Sequence, residues 1–279
     1  MEQKLNSSTE VEANNVKPHL HKTPCCTLPF VQLWNEDCLE TLKRIETGSI
    51  DLMLTDPPYG TTQCDWDNAP NFAIMWQEWE RILKPNGAFV FFGSQPFTTH
   101  LISSRLGFFK YEMIWEKTMP NGFLDAQKKP LKCHENILVF YRQQPTYNPQ
   151  KTIGKKYKKI RKASEKYEGY NNYIPSDSFN DGDRFPTSII TYSNGNNRHD
   201  TGRSIHPTQK PLELIRYLLN TYSNENDLVF DGYSGSGTTA AACIKERRNF
   251  IGSELNKEYF DLSVKRLTEI SMKPELELR

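Results

Sequence analysis

The chain has 279 residues, enough for one full α/β domain with an inserted module and a sizeable buried core. With 37% hydrophobic and 25% charged residues it reads as an ordinary globular chain, and no stretch approaches the roughly 20 apolar residues that span a bilayer. A net charge of +1 selects no partner, and six cysteines without a C-x-x-C pair argue against a metal or redox centre, leaving reduced thiols in a cytoplasmic protein.

Residues 1–28 are expected to form a flexible polar lead-in, since they lack the apolar region of a signal peptide. Residues 29–141 hold a first run of strands and helices. Ile50 to Thr55 is a mostly apolar run that enters the turn Asp56-Pro57-Pro58-Tyr59-Gly60. A helix is predicted from Phe72 to Leu83, with Ile74, Met75, Trp79 and Ile82 at helical spacing and Pro85 beyond its end. Ala88 to Phe92 and Ile137 to Tyr141 read as further strands, and such near-continuous apolar runs suit parallel strands covered on both faces. Residues 142–204 break the pattern. They are polar, poor in apolar runs and too long for an ordinary loop, so an inserted module is expected there. Within it Lys155, Lys156, Lys158, Lys159 and Arg161 surround Tyr157, a block that could neutralise phosphates and that also reads as a solvated loop. Residues 205–279 resume the alternation, with helices from Pro211 to Tyr222, Thr238 to Arg247 and Asn256 to Ile270, and strands at Leu228–Phe230 and Phe250–Ile251. Strands alternating with helices predict a Rossmann-like, doubly wound α/β sheet, mostly parallel.

Two turns carry the chemistry. Leu228 to Thr239 is a strand, a glycine turn and a helix start. Gly235 and Gly237 let backbone amides approach a ligand, and Glu254, about twenty residues on, is placed for ribose hydroxyls. That pattern predicts an adenosine-containing cofactor. Gly235-x-Gly237-x-x-Ala240 also fits a nicotinamide or flavin enzyme, so the pattern does not say which. The second turn, Asp56-Pro57-Pro58-Tyr59, is stiffened by two prolines. A base amino group is a poor nucleophile because its lone pair is delocalised. The Asp56 carboxylate and the Pro57 carbonyl can accept from its two N–H groups and draw that pair out, while Tyr59 stacks on an extruded base. This chemistry needs neither a metal nor a covalent intermediate.

Together these residues resemble the amino-DNA methyltransferases, the N6-adenine and N4-cytosine group, from about Val31 to Leu267. Asp56-Pro57-Pro58-Tyr59 is similar to the family's catalytic motif, and Asp231 to Thr239, including Ser236 and Thr238, to its cofactor loop. The segment His206-Pro207-Thr208-Gln209-Lys210-Pro211 resembles the one that lines the methionine pocket, and Asp37 and Cys38 match a turn that contacts the cofactor adenine. Catalytic turn first and glycine loop last is the order of the permuted β class, with the target-recognition region between. The stretch from Trp115 to Tyr141, with His134-Glu135-Asn136, is similar to phage-type adenine enzymes. Gly232 stands where the family usually has proline, and Glu36 where glycine is commoner. The resemblance implies a class I methyltransferase fold and S-adenosylmethionine as cofactor. It implies transfer to adenine N6 of double-stranded DNA after base flipping, with cytosine N4 as the alternative. Remoter alternatives are an oxidoreductase or a non-catalytic DNA-binding protein. Lys128, Lys129, Arg198 and Arg203 join the basic block as DNA-contacting residues in this reading. A homodimer, frequent among β-class relatives, and a cognate restriction enzyme complete it.

Overall fold

The computed structural model describes residues 24–60, 69–159, 178–194 and 209–272. The first elements are β1 (Cys26–Leu28), β2 (Val31–Trp34), α1 (Cys38–Leu42), β3 (Ile50–Thr55), α2 (Phe72–Ile82), β4 (Leu83–Gly93) and α3 (Phe97–Ser104). Next come β5 (Phe109–Asn121) and β6 (Lys132–Phe140), then the short strands β7 (Thr152–Ile153), β8 (Tyr157–Lys159), β9 (Ser178–Asn180) and β10 (Asp183–Arg184). The chain continues through β11 (Ile189–Tyr192), α4 (Leu212–Tyr222), β12 (Leu228–Asp231), α5 (Thr238–Glu246), β13 (Asn249–Ser253) and α6 (Lys257–Ser271).

Nine of these strands form one sheet in the order β1-β2-β13-β12-β3-β4-β6-β5-β11. Its centre is parallel. β3 pairs with β12, setting Leu52 beside Val229 and Met53 beside Phe230. From that pair the crossovers diverge: β3 leads through α2 to β4 on one side, and β12 leads through α5 to β13 on the other. Such a switch point opens a crevice at the carboxyl ends of the strands.

Side chains alternate across the strands and feed two cores. Ala88, Val90 and Phe92 of β4 face one layer with Leu214, Leu218, Ala241 and Leu267, while Phe89 and Phe91 face the other with Leu42, Trp79 and Leu101. The helices start where their caps dictate. Asn71 accepts from the Ala73 amide at 3.1 Å, and Asn256 accepts from those of Glu258 and Tyr259 at 2.9 and 3.2 Å.

Several elements differ from the sequence reading. Cys26–Leu28, placed there in the lead-in, is an edge strand antiparallel to β2, with Cys26 opposite Leu33. β6 is antiparallel to β4 and to β5 despite its continuous apolar run, because the link over residues 122–131 is too short for a parallel crossover. β5 itself gave no apolar run. Only Met113, Trp115 and Lys117 of its alternating pattern are buried. Within 142–204, β11 extends the main sheet parallel to β5, while β7 pairs with β10 and β8 with β9 as small ribbons. Among the described residues no helix is long and apolar enough to cross a membrane.

Candidate active site

β3 and β12 end side by side, and the bond from Thr55 Oγ1 to Asp231 Oδ1, 2.6 Å, ties their last residues together. The two turns singled out in the sequence therefore leave the same edge of the sheet. A cavity of about 630 Å³ lies between them, lined by Asp56, Pro57, Pro58 and Tyr59 on one side and by Asp231 to Ser236 on the other. Asp37 and Cys38 at the start of α1, Glu135, Gln209, Lys210 and Glu254 also line it.

The Asp56 carboxylate is held at both oxygens. Tyr59 Oη donates to Oδ1 at 2.6 Å, and the Lys210 ammonium donates to Oδ2. The Tyr59 ring lies 4.9 Å from that of Phe97, tilted by 32°. Lys210 is only 8% exposed and also lies 3.3 Å from Glu135 Oε2, and Glu135 is paired in turn with Lys117. Charges thus alternate along Asp56, Lys210, Glu135 and Lys117. Burial pushes the Asp56 carboxyl above its ordinary range, Lys210 opposes that, and Glu135 adds to it. Burial also works to raise Glu135, but Lys210 and Lys117 outweigh it and hold the carboxyl below its usual value. For Lys210 burial pulls downward, yet Asp56 and Glu135 keep the ammonium above its usual range. All three groups are mutually dependent, since removing one leaves a buried charge uncompensated.

In the glycine loop, Asp231 is part of the scaffold. Besides Thr55 it accepts from the Tyr233 amide at 3.0 Å and from Thr239 Oγ1 at 2.8 Å, and burial lifts its carboxyl to about 6. Gly235 adopts φ +52° at the cavity wall, and nothing lies within 4 Å of where a Cβ would stand. Gly237, at φ +71°, turns instead against α6, where a Cβ would sit 3.0 Å from that of Ser263. Glu254 accepts from the Gly235 and Asn256 amides at 2.8 and 2.7 Å, which fixes its carboxylate beside the loop. Thr238 Oγ1 accepts from Arg266 at 3.1 Å. Cys38 is buried, and burial pushes its thiol up to about 11, so it faces the cavity as a neutral group.

These residues fit S-adenosylmethionine. The volume is that of a small-molecule site, typically ~300–1,000 Å³. Glu254 and Asp37 offer carboxylates to hydroxyl and cationic groups, and Ser234 Oγ is buried at the wall without a hydrogen-bond partner.

The cavity thus gathers most of the residues predicted from sequence, with corrections. Gly237 packs behind the loop, and Lys210 reaches the Asp56 carboxylate of the Asp-Pro-Pro-Tyr turn. His206, Thr208, Arg161, Arg198 and Arg203 lie outside the described residues. Lys128 and Lys129 stand exposed in the β5–β6 link, 3.8 and 3.3 Å from the Asp125 carboxylate. Lys155, Lys156, Lys158 and Lys159 are exposed on or beside the small ribbons, near exposed Phe179 and Phe185. Sequence reasoning missed the roles of Glu135 and Lys117. The available signal was an acid at the mouth of an apolar strand and a lysine in phase with Met113 and Trp115.

A family model described as DNA methylase, of the N6/N4 group, matches residues 50–265. The type II methyltransferase M.HpaI of Haemophilus parainfluenzae is 31% identical over 244 residues, covering 83% of this chain and 72% of that protein. The type II methyltransferase M1.MboII of Moraxella bovis is 28% identical over 245 residues, covering 80% and 91%. Among solved structures, the M1.HpyAVI–SAM complex superposes with a TM-score of 0.56 at 24% identity, covering 85% of this chain and 99% of that one. The cytosine-N4-specific PvuII DNA methyltransferase superposes with a TM-score of 0.60 at 18% identity, covering 86% and 90%. At these identities the two structures speak for the shared fold.

Proposed function

The chain belongs to the N6/N4 DNA methylase family, and from that premise we propose that it methylates the N6 amino group of adenine at a specific site in double-stranded DNA. S-adenosylmethionine is the family's methyl donor and, when bound, supplies an electrophilic methyl group on a sulfonium. Membership sets aside the nicotinamide and flavin readings of the glycine loop.

The observation that carries the proposal is the shared cavity: a rigid acceptor turn and a glycine loop leave adjacent parallel strands and face one another. Asp56 accepts one N–H of the target amine and the Pro57 carbonyl the other, which localises the nitrogen lone pair. Tyr59, backed by Phe97, offers a ring face to a base drawn out of the duplex. Holding the amine in one orientation supplies much of the acceleration expected of a site with no covalent step. Glu254 accepts from the ribose hydroxyls, and the walls of the cavity keep water from the reacting amine. Adenine is favoured over cytosine because the first position of the turn is Asp56, where cytosine-N4 enzymes more usually carry serine. The exposed lysines and aromatic side chains of the ribbons, with Lys128 and Lys129, meet the phosphates. Residues 142–204 serve as the target-recognition region. A homodimer and a cognate restriction enzyme belong to the same reading, the first checked by sedimentation.

The test is transfer of labelled methyl groups to genomic DNA, followed by nucleoside mass spectrometry. N6-methyladenine is the expected product, and N4-methylcytosine would correct the target base. Asp56→Ala should lower transfer by at least about a hundredfold, as loss of a preorganised polar group does in other enzymes. Full activity in that variant would overturn the mechanism.

A further inference from the structure

Lys210 stands between two carboxylates, and only one of them belongs to the catalytic turn. Its ammonium donates to Asp56 Oδ2 and lies 3.3 Å from Glu135 Oε2, while Lys117 occupies Glu135 Oε1. Both lysine heads rest over aromatic rings, Lys210 at 5.0 Å from Phe92 and Lys117 at 5.0 Å from Trp115, so neither is free to swing. Side-chain exposure is 7% at Lys117, 14% at Glu135, 9% at Lys210 and 25% at Asp56. The row of charges is largely buried, and Asp56, Lys210 and Glu135 all border the cavity, with Asp56 the most exposed of the four.

We propose that Glu135 is a positioning residue that acts through Lys210. It holds part of the ammonium's charge, so that Asp56 is neutralised only in part and keeps lone pairs for the target amine. A carboxylate has about four acceptor sites. In this geometry Lys210 takes one on Oδ2 and Tyr59 one on Oδ1. An ammonium paired with Asp56 alone would weaken the remaining sites as acceptors. Without any ammonium, the desolvated Asp56 beside Glu135 would take up a proton and cease to accept. The balance therefore needs both partners of Lys210. Other titratable groups facing the row are Asp231 at the end of β12, Lys132 at the start of β6 and the neutral Tyr59 hydroxyl. None of these stands between Lys210 and Glu135.

The inference rests on Asp56 being the amine acceptor, and one set of variants separates the two claims. The full-length protein, labelled with ¹³C-carboxyl aspartate, is titrated by NMR, with the Asp56 signal assigned by its loss in Asp56→Asn. Glu135→Gln leaves Lys210 to Asp56 alone, so the Asp56 midpoint should fall and kcat should drop at least fivefold. KM for DNA and the affinity for S-adenosylhomocysteine should stay within twofold of wild type. Lys210→Met should move the midpoint the opposite way, upward. If Glu135→Gln does not fold, Lys117→Met reads the same row from its far end. It frees Glu135 to draw Lys210 from Asp56, and the midpoint should rise. A midpoint that rises in Glu135→Gln as it does in Lys210→Met, or a kcat and midpoint unchanged in Glu135→Gln, overturns the role of Glu135. Full methyl transfer in Asp56→Ala, which leaves no side-chain acceptor, would overturn instead the reading on which it rests.

Discussion

Tyr59 does two things that a single alanine substitution would confuse. Its hydroxyl donates to Asp56 at 2.6 Å, and its ring lies 4.9 Å from Phe97 at the cavity wall. Tyr59→Phe removes only the hydrogen bond, whereas Tyr59→Ala also removes the stacking face, worth about 1–3 kcal/mol per base in single-strand binders. KM for DNA should therefore rise by tenfold or more in Tyr59→Ala and by no more than about threefold in Tyr59→Phe. Cofactor affinity, read by calorimetry with S-adenosylhomocysteine, should be unchanged in both. Equal losses in the two variants would mean that the ring does not hold the base.

The glycine loop between β12 and α5 shows how residues of one type serve different purposes. Gly235 and Gly237 both have positive φ, which costs a side-chain-bearing residue about 1–2 kcal/mol. Beyond that they part company. A methyl group at Gly237 would press on Ser263 and Leu267 of α6, whereas one at Gly235 meets no protein atom within 4 Å and stands at the cavity wall. Gly237→Ala should lower the melting temperature the more, because α6 must give way. Gly235→Ala should lose only what its backbone strain costs yet bind S-adenosylhomocysteine at least tenfold more weakly. The reverse ranking would mean that the loop presents its other face to the ligand. This distinction was not legible in the sequence, where both glycines sit in one motif. It depends on α6, whose residues begin 20 positions after Gly237.

At the scale of the whole molecule, the seam between β3 and β12 couples folding to pH through Asp231. Its carboxyl titrates near 6 in the folded chain, raised by burial from an ordinary 3.8. The folded state thus holds this proton where the unfolded chain has released it. The group's contribution favours the folded protein at the acid end and is lost as pH rises through about 6. Asp231→Asn has no such proton to lose. Relative to wild type its stability should improve by about 2 kcal/mol between roughly pH 4.5 and 7.5, measured by denaturant unfolding at each pH. A constant difference between the two proteins would show that Asp231 stays ionised throughout.

The order and chemistry of the segments were set by the sequence alone. Apolar runs, helix periodicity and turn residues located β3, β12, α4, α5 and α6, because burial and capping act on neighbours within a few residues. Asp56 and Gly235 could be singled out for the same local reason. What only the tertiary structure decided is which side chains meet. Strand direction in β6, the strand hidden in the polar pattern of β5 and the small ribbons follow from pairing across the chain. The contact of Lys210 with Asp56 spans 154 residues, and the further reach to Glu135 depends on β6 lying next to β4. Electrostatic partners inside a protein are chosen by distance in space under weak screening, and no spacing along the chain encodes that distance.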